Sequence, residues 1–226
     1  MENNLKISII GGTGKEGRGL AYRWLKAGYS VTIGSREKEK ALQAVDELIK
    51  LLGDNYRNSF AGDINETVVA DCDVAVLTIP YQFHKEMLES MKPHLKGKFL
   101  MDVSVPLVPP KVSVVHIPEE GSAALEAQRI LGDDCKVISA FQNISFELLL
   151  SEKEIECDVF VCGVDKESRS IGLQLVKDAG LRGWDAGPLE NSIIPEGLTS
   201  ILIRINRQFS IHDAGVRVTG VDIKDQ

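Results

Sequence analysis

The sequence lacks several things that would place it quickly. No apolar run approaches the ~20 residues that a bilayer span needs; stretches such as Val74 to Pro80 fall far short. There is no charged-then-apolar leader, so the expectation is a soluble, cytoplasmic protein. Basic residues are in deficit, 26 against 33 acidic ones, and a formal net charge of -7 repels polyanions, which argues against nucleic acid as a partner. The four cysteines, Cys72, Cys135, Cys157 and Cys162, form no C-x-x-C pair. Three of them sit in or beside strand-like runs, where a thiol packs as a small apolar group rather than as a metal ligand or half of a disulfide. No internal repeat or low-complexity tract is present.

What is present is an alternation of strand-like and helix-like segments. Leu5 to Ile10 is a short, β-branched apolar run of the kind that fills a buried parallel strand. From Lys15 to Lys26, Leu20, Ala21, Trp24 and Leu25 recur at helical spacing, and Gly28 supplies a stop. Tyr29 to Gly34 gives a second strand, and a second amphipathic helix ends near Gly53. Further strands are expected at 58–61, 73–79, 99–104, 136–140, 158–162 and 183–186, with helices at 82–91, 121–131 and 167–179. A proline-rich loop runs from Val105 to Pro118. Such alternation predicts an α/β fold with right-handed crossovers and helices on both faces of a parallel sheet. Residues 191–209 keep a helical rhythm interrupted by Pro195 and Gly197. The expected organisation is a nucleotide-binding domain over 1–188 and a C-terminal helical cap or dimerisation segment over 189–226.

Between the first strand and the first helix lies Gly11-Gly12-Thr13-Gly14-Lys15-Glu16-Gly17, a G-x-G-x-x-G at Gly12, Gly14 and Gly17. One glycine permits the tight turn, the next lets backbone approach a pyrophosphate, and the third allows helix and strand to pack closely. The helix N-terminus adds free N–H groups and a positive dipole end. This strand–loop–helix context makes the expected fold a doubly wound, mostly parallel Rossmann-type sheet with a small C-terminal helical segment. At the end of the second strand an NAD site places a carboxylate for the ribose 2′-hydroxyl. Here stand Gly34-Ser35-Arg36, with Lys40 one helical turn on. A hydroxyl and a planar guanidinium suit a 2′-phosphate, so the expected cofactor is NADP(H).

Reducing a ketone needs a proton donor beside the forming alkoxide. Tyr81 and Lys85 match a Y-x-x-x-K spacing but follow the fourth strand, not a helix after the fifth, and are read as coincidence. His84 is read as a capping or packing group. His94, His116 and His212 have no acidic partner at metal spacing, and Arg204 and Arg207 suit a solvated face. No side chain is singled out as catalytic, and no metal is expected. Hydride exchange between two carriers demands less: positioning of two ring faces carries most of the rate. Loops at the carboxyl ends of the strands, Ile79-Pro80, Ser104 to Leu107 and Gln142 to Ile144, converge where open parallel sheets bind ligands.

The run IIGGTGKEGRGLAYRWLKAGYSVTIGSREKEKA, with AVLTIPYQFH, DVSVPLVPP, GSAALEAQ, CDVFVCGVDKES and DAGPLENS, resembles the F420-dependent NADP reductases over nearly the full chain. The resemblance implies an NADP(H)-dependent oxidoreductase exchanging hydride with coenzyme F420 or a flavin-like carrier, a small-molecule partner, and a homodimer. It implies that Thr13, Gly14, Lys15 and Glu16 cradle the pyrophosphate and that Ser35, Arg36 and Lys40 hold the 2′-phosphate. Ile79 and Pro80 would then flank the adenosine side. His84 matches a family position too. The deazaflavin is expected near the loop after the sixth strand, where Gln142 and Ile144 stand. Members often read S-A-L-H-T-I-P-A there; Gln142 replaces the histidine and Phe146 an alanine. Two alternatives stay open: reduction of another acceptor, and a sensor of the NADPH to NADP ratio without turnover.

Overall fold

The computed structural model describes residues 5–152 and 154–221. Its strands are β1 (Lys6–Ile10), β2 (Ser30–Ser35), β3 (Phe60–Ile64), β4 (Val74–Leu77), β5 (Phe99–Asp102), β6 (Lys136–Ser139), β7 (Asp158–Gly163) and β8 (Arg182–Gly187). The helices are α1 (Lys15–Lys26), α2 (Lys38–Leu52), α3 (Asn65–Ala70), α4 (His84–Met91), α5 (Ala123–Leu131), α6 (Phe146–Leu149), α7 (Lys166–Asp178) and α8 (Ile193–Phe209). The expected elements recur within a few residues. The two that periodicity did not reveal, α3 and α6, are too short to show a period.

All eight strands join one sheet in the order β3-β2-β1-β4-β5-β6-β7-β8. The central strands can be apolar throughout because both faces are covered: Ile9 and Ile10 point to opposite sides, and neither is exposed. Ile9 joins a core formed with Leu20 and Trp24 of α1, Val45 and Leu48 of α2, and Leu175 of α7. Ile10 joins a second core with Val68 of α3, Leu88 and Met91 of α4, and Ala127 and Leu131 of α5. Trp24 is fully buried, and its indole N–H donates to the Leu175 carbonyl at 2.9 Å, so its polar atom is satisfied inside the core. Helix α1 ends as its composition directs: Gly28, at φ +90°, takes the left-handed conformation that a side chain would resist.

Register is parallel from β3 to β6, with Ile9 opposite Val76, Val76 opposite Met101, and Met101 opposite Ile138. The sheet departs from the expected crossovers once. β7 runs antiparallel to β6, pairing Ser139 with Cys162, before β8 returns parallel to β7. The connection from β6 carries only the four-residue α6, which spans no strand length and builds no crossover. Pro195 and Gly197 do not interrupt α8: Pro195 lies in its first turn, where an N–H is not needed. Among the described residues no helix is long and apolar enough to cross a membrane. The order of strands reverses at β1, which pairs with β2 on one side and β4 on the other. Open sheets of this kind bind ligands at that point, outside the carboxyl ends of the strands.

Candidate functional site

The turn after β1 is glycine for two different reasons. A Cβ on Gly17 would meet the Gly12 Cα at 2.6 Å, and one on Gly12 would meet the Ile9 carbonyl at 2.9 Å, so both serve close packing of α1 on the sheet. A Cβ on Gly14 would meet nothing nearer than 3.6 Å. Nothing within the fold demands a glycine there, and its bare backbone opens onto the groove. Gly14 is also the N-cap of α1 and contributes no side-chain cap, which leaves first-turn N–H groups for an incoming acceptor. Gly11, at φ +69°, donates its N–H to the Asn65 side chain at 3.2 Å, which pins the turn to α3.

Across the groove stands the end of β2. Ser35 is buried and its Oγ accepts from the Glu37 N–H at 3.3 Å. Lys40 pairs with Glu37 at 2.6 Å, and Lys38 pairs with Asp63 at 2.7 Å. Arg36 forms no ion pair among the described residues; its guanidinium lies 6.0 Å from the centre of the Phe83 ring. A cavity of about 660 Å³ holds Thr13, Gly14, Ser35, Arg36, Lys40, Ile79 and Pro80 together. An unpaired guanidinium opposite a bare helix N-terminus is a pair of anion sites joined by an apolar shelf, and it fits a phosphorylated dinucleotide.

Thr78, Ile79 and Pro80 also line a second cavity, of about 420 Å³, with Glu16, Tyr81, Ser104 and Leu107. Two buried polar atoms there have no hydrogen-bond partner, Glu16 Oε1 and Ser104 Oγ. Burial pushes the Glu16 carboxyl up to about 8, so it is neutral at pH 7. Unsatisfied buried polar atoms in a cavity are what a polar ring system would satisfy. Lys15 is exposed, and its ammonium lies 4.7 Å from the Phe146 ring centre. Gln142 and Ile144 are buried and line neither cavity. Ile144 belongs to the core, whereas Gln142 donates to the Asp102 carbonyl at 2.8 Å and to Ser139 Oγ at 2.9 Å. Gln142 Oε1 and Asn143 Oδ1 lack partners. The loop itself is held by Phe141, whose φ of +72° is rare for a side-chain-bearing residue and which packs edge-on against Trp24. Another cavity, of about 740 Å³, lies elsewhere, along Asp158, Arg182 and Trp184. Its Asp158 carboxylate is already taken by Arg182 and Trp184, and among the described residues no unpartnered buried side-chain atom lines it.

One group escaped sequence reasoning. His84 is fully buried between Asp102, at 2.7 Å, and Glu126, at 3.1 Å. The available signal was an acid closing the apolar run of β5 and another on the buried face of α5.

A family model for coenzyme F420-dependent NADP oxidoreductases matches residues 6–106, which hold the glycine turn, the end of β2 and both cavities' shared wall. The F420-dependent NADP reductase of Methanocaldococcus jannaschii is 35% identical, over 97% of this chain and 100% of its own. Its counterpart in Methanothermobacter thermautotrophicus is 36% identical over 96% of both. The chain belongs to the F420-dependent NADP reductases. A solved Arthrobacter chain, provisionally assigned as an F420-dependent NADP reductase, superimposes with a TM-score of 0.80 over 96% of this chain and 100% of its own; at 21% identity it speaks for the fold alone. The relatives' matches extend past residue 106 as well, over the part of the chain where Gln142, Phe146 and α8 stand.

Proposed function

We propose that the chain transfers hydride between NADP(H) and coenzyme F420. The observation that carries this is Arg36: it closes the second strand, where an NAD site has a carboxylate, and among the described residues it has no anionic partner. Thr13, Gly14 and Lys15, with the first-turn N–H groups of α1, hold the pyrophosphate. Gly12 and Gly17 shape that turn, and Ser35, Arg36 and Lys40 hold the 2′-phosphate. Ile79 and Pro80 form the shelf between the groove and the second cavity, where Glu16 and Ser104 offer hydrogen bonds to a polar ring edge. Gln142 and Ile144 back this cavity as part of the loop after β6. When bound, the two coenzymes supply the hydride donor and acceptor; the chain orients their rings and excludes water.

In this proposal residues 189–226 are a helical cap or dimerisation segment. Ile194, Ile201 and Phe209 of α8 are exposed large apolar groups on one helix, which supports a homodimer. Both coenzymes belong to pools of the cell interior, which supports a cytoplasmic location. The test is to mix the purified chain with NADPH and either F420 or FMN and to follow the nicotinamide absorbance band. Oxidation of NADPH with F420 is expected. Tight NADPH binding with no turnover on either acceptor would overturn the proposal.

A further inference from the structure

His84 opens α4 with both ring nitrogens facing carboxylates: Nε2 lies 2.7 Å from Asp102 Oδ2 and Nδ1 lies 3.1 Å from Glu126 Oε2. An ionised carboxylate only accepts, so both contacts are hydrogen bonds only when the ring carries two protons and a positive charge. The titratable groups around it come from four places. Asp102 comes from β5, Glu126 from α5, and the Tyr81 ring from the turn before α4 lies 5.5 Å away, its hydroxyl directed at Glu126. Glu196 of α8 stands within electrostatic range and accepts the Ala123 and Ala124 N–H groups at 2.7 and 3.1 Å. Burial opposes the charge on His84, but Asp102 and Glu126 outweigh it and hold the imidazole above the ordinary histidine value.

Asp102 is where the loop that lines the second cavity meets the loop after β6. Its Oδ1 accepts the Ser104 N–H at 2.9 Å, and its carbonyl accepts from the Gln142 amide at 2.8 Å. One carboxylate oxygen therefore faces His84 while the other holds the loop after β5, and the same residue's backbone holds the loop after β6. A buried charge cluster is a poor source of stability, since apolar replacements of similar volume often match it. It is a good means of holding groups in one arrangement, because each misplaced member is left unsatisfied at low dielectric.

We infer that His84 is a positioning residue for hydride transfer: as an imidazolium it fixes Asp102, and through Asp102 it sets Ser104 beside the reacting rings and holds Gln142 behind it, without touching either coenzyme. This rests on the proposed exchange between NADP(H) and F420. Without its second proton the ring can donate to one carboxylate only, and its bare nitrogen then faces the other. Transfer is therefore steady at neutral pH and falls as pH rises through the folded value of His84.

The test compares the whole chain with His84→Gln and Glu126→Gln, by calorimetry with NADPH and by single-turnover transfer to F420 with NADPH saturating at every pH. His84→Gln is expected to keep NADPH affinity within about twofold, to slow transfer about tenfold to a hundredfold, and to lose the alkaline fall. Glu126→Gln keeps the His84–Asp102 contact but removes one of the carboxylates favouring the charge, so its alkaline fall moves down by about half a pH unit or more. If His84→Gln does not fold, Glu126→Gln decides alone, and an unmoved pH profile overturns the inference. A wild-type chain that transfers to F420 alongside an equally fast His84→Gln overturns this inference and spares the proposed function. A wild-type chain that binds NADPH but transfers nothing to F420 overturns both.

Discussion

The groove and the second cavity share one wall but are built in opposite ways. The groove works by omission: Gly14 has no Cβ, α1 has no side-chain cap, and Arg36 has no ion-pair partner among the described residues. The second cavity works by accumulation: a neutral Glu16 and the Ser104 hydroxyl line it, backed by an imidazole locked between two carboxylates. Omission is local, so one turn and the end of the next strand suffice. Accumulation needs β5, α4, α5 and the loop after β6 brought together. The proposed charge selectivity thus belongs to the groove and the proposed pH sensitivity to the cavity.

The largest expected effect tests the first half of that contrast. Arg36→Asp replaces attraction by repulsion at the 2′-phosphate, and NADPH binding measured by calorimetry should weaken about a hundredfold or more while NADH changes only a few-fold. Equal losses for the two nucleotides would remove charge selectivity from the groove. An intermediate effect separates its glycines. Gly14→Ala should leave the melting temperature alone and weaken NADPH about tenfold, because its methyl group enters the ligand's space. Gly17→Ala should cost about 1–3 kcal/mol of stability in a urea titration, since its Cβ collides with Gly12. A Gly14→Ala chain with unchanged affinity would break the distinction between a glycine kept for the ligand and one kept for the fold.

The smallest effect concerns Glu16. Burial raises its carboxyl to about 8, so ionisation comes late and places a new negative charge near the dinucleotide phosphates. NADPH affinity should fall a few-fold as pH rises through about 8, and Glu16→Gln should flatten that dependence. Because the folded value lies above the unfolded 4.5, the folded state holds the extra proton between the two, and stability falls as pH rises across that window. A flat wild-type affinity profile would remove Glu16 from the ligand's surroundings.

How far the sequence could be read follows the same divide. The limits of α1 were legible because Leu20, Ala21, Trp24 and Leu25 form a helical stripe and Gly28 ends it. The placement of Ser35 and Arg36 followed from strand length alone. The direction of β7 was not legible, since an apolar strand has the same composition whichever way it runs. Nor was the role of His84, whose carboxylate partners lie 18 and 42 residues away. Only the packing of α4 and α5 on β5 brings them within hydrogen-bond distance. Gln142 was singled out for an accessible place in the slot, and its two hydrogen bonds into the buried strand ends keep it behind the surface.

The inversion of β7 also redistributes chain length. Since β6 finishes and β7 begins at the same rim of the sheet, the described residues 140–152 and 154–157 need not make the full return crossover that a parallel strand requires. They pack along α1 instead, with Phe141 wedged against Trp24, Arg23 gripping the carbonyls of Leu148, Leu149 and Ser151, and Asn143 tied to the first residue of β7. Turning one strand around thus makes a clasp for the opening helix out of chain that would otherwise have been spent on a return path.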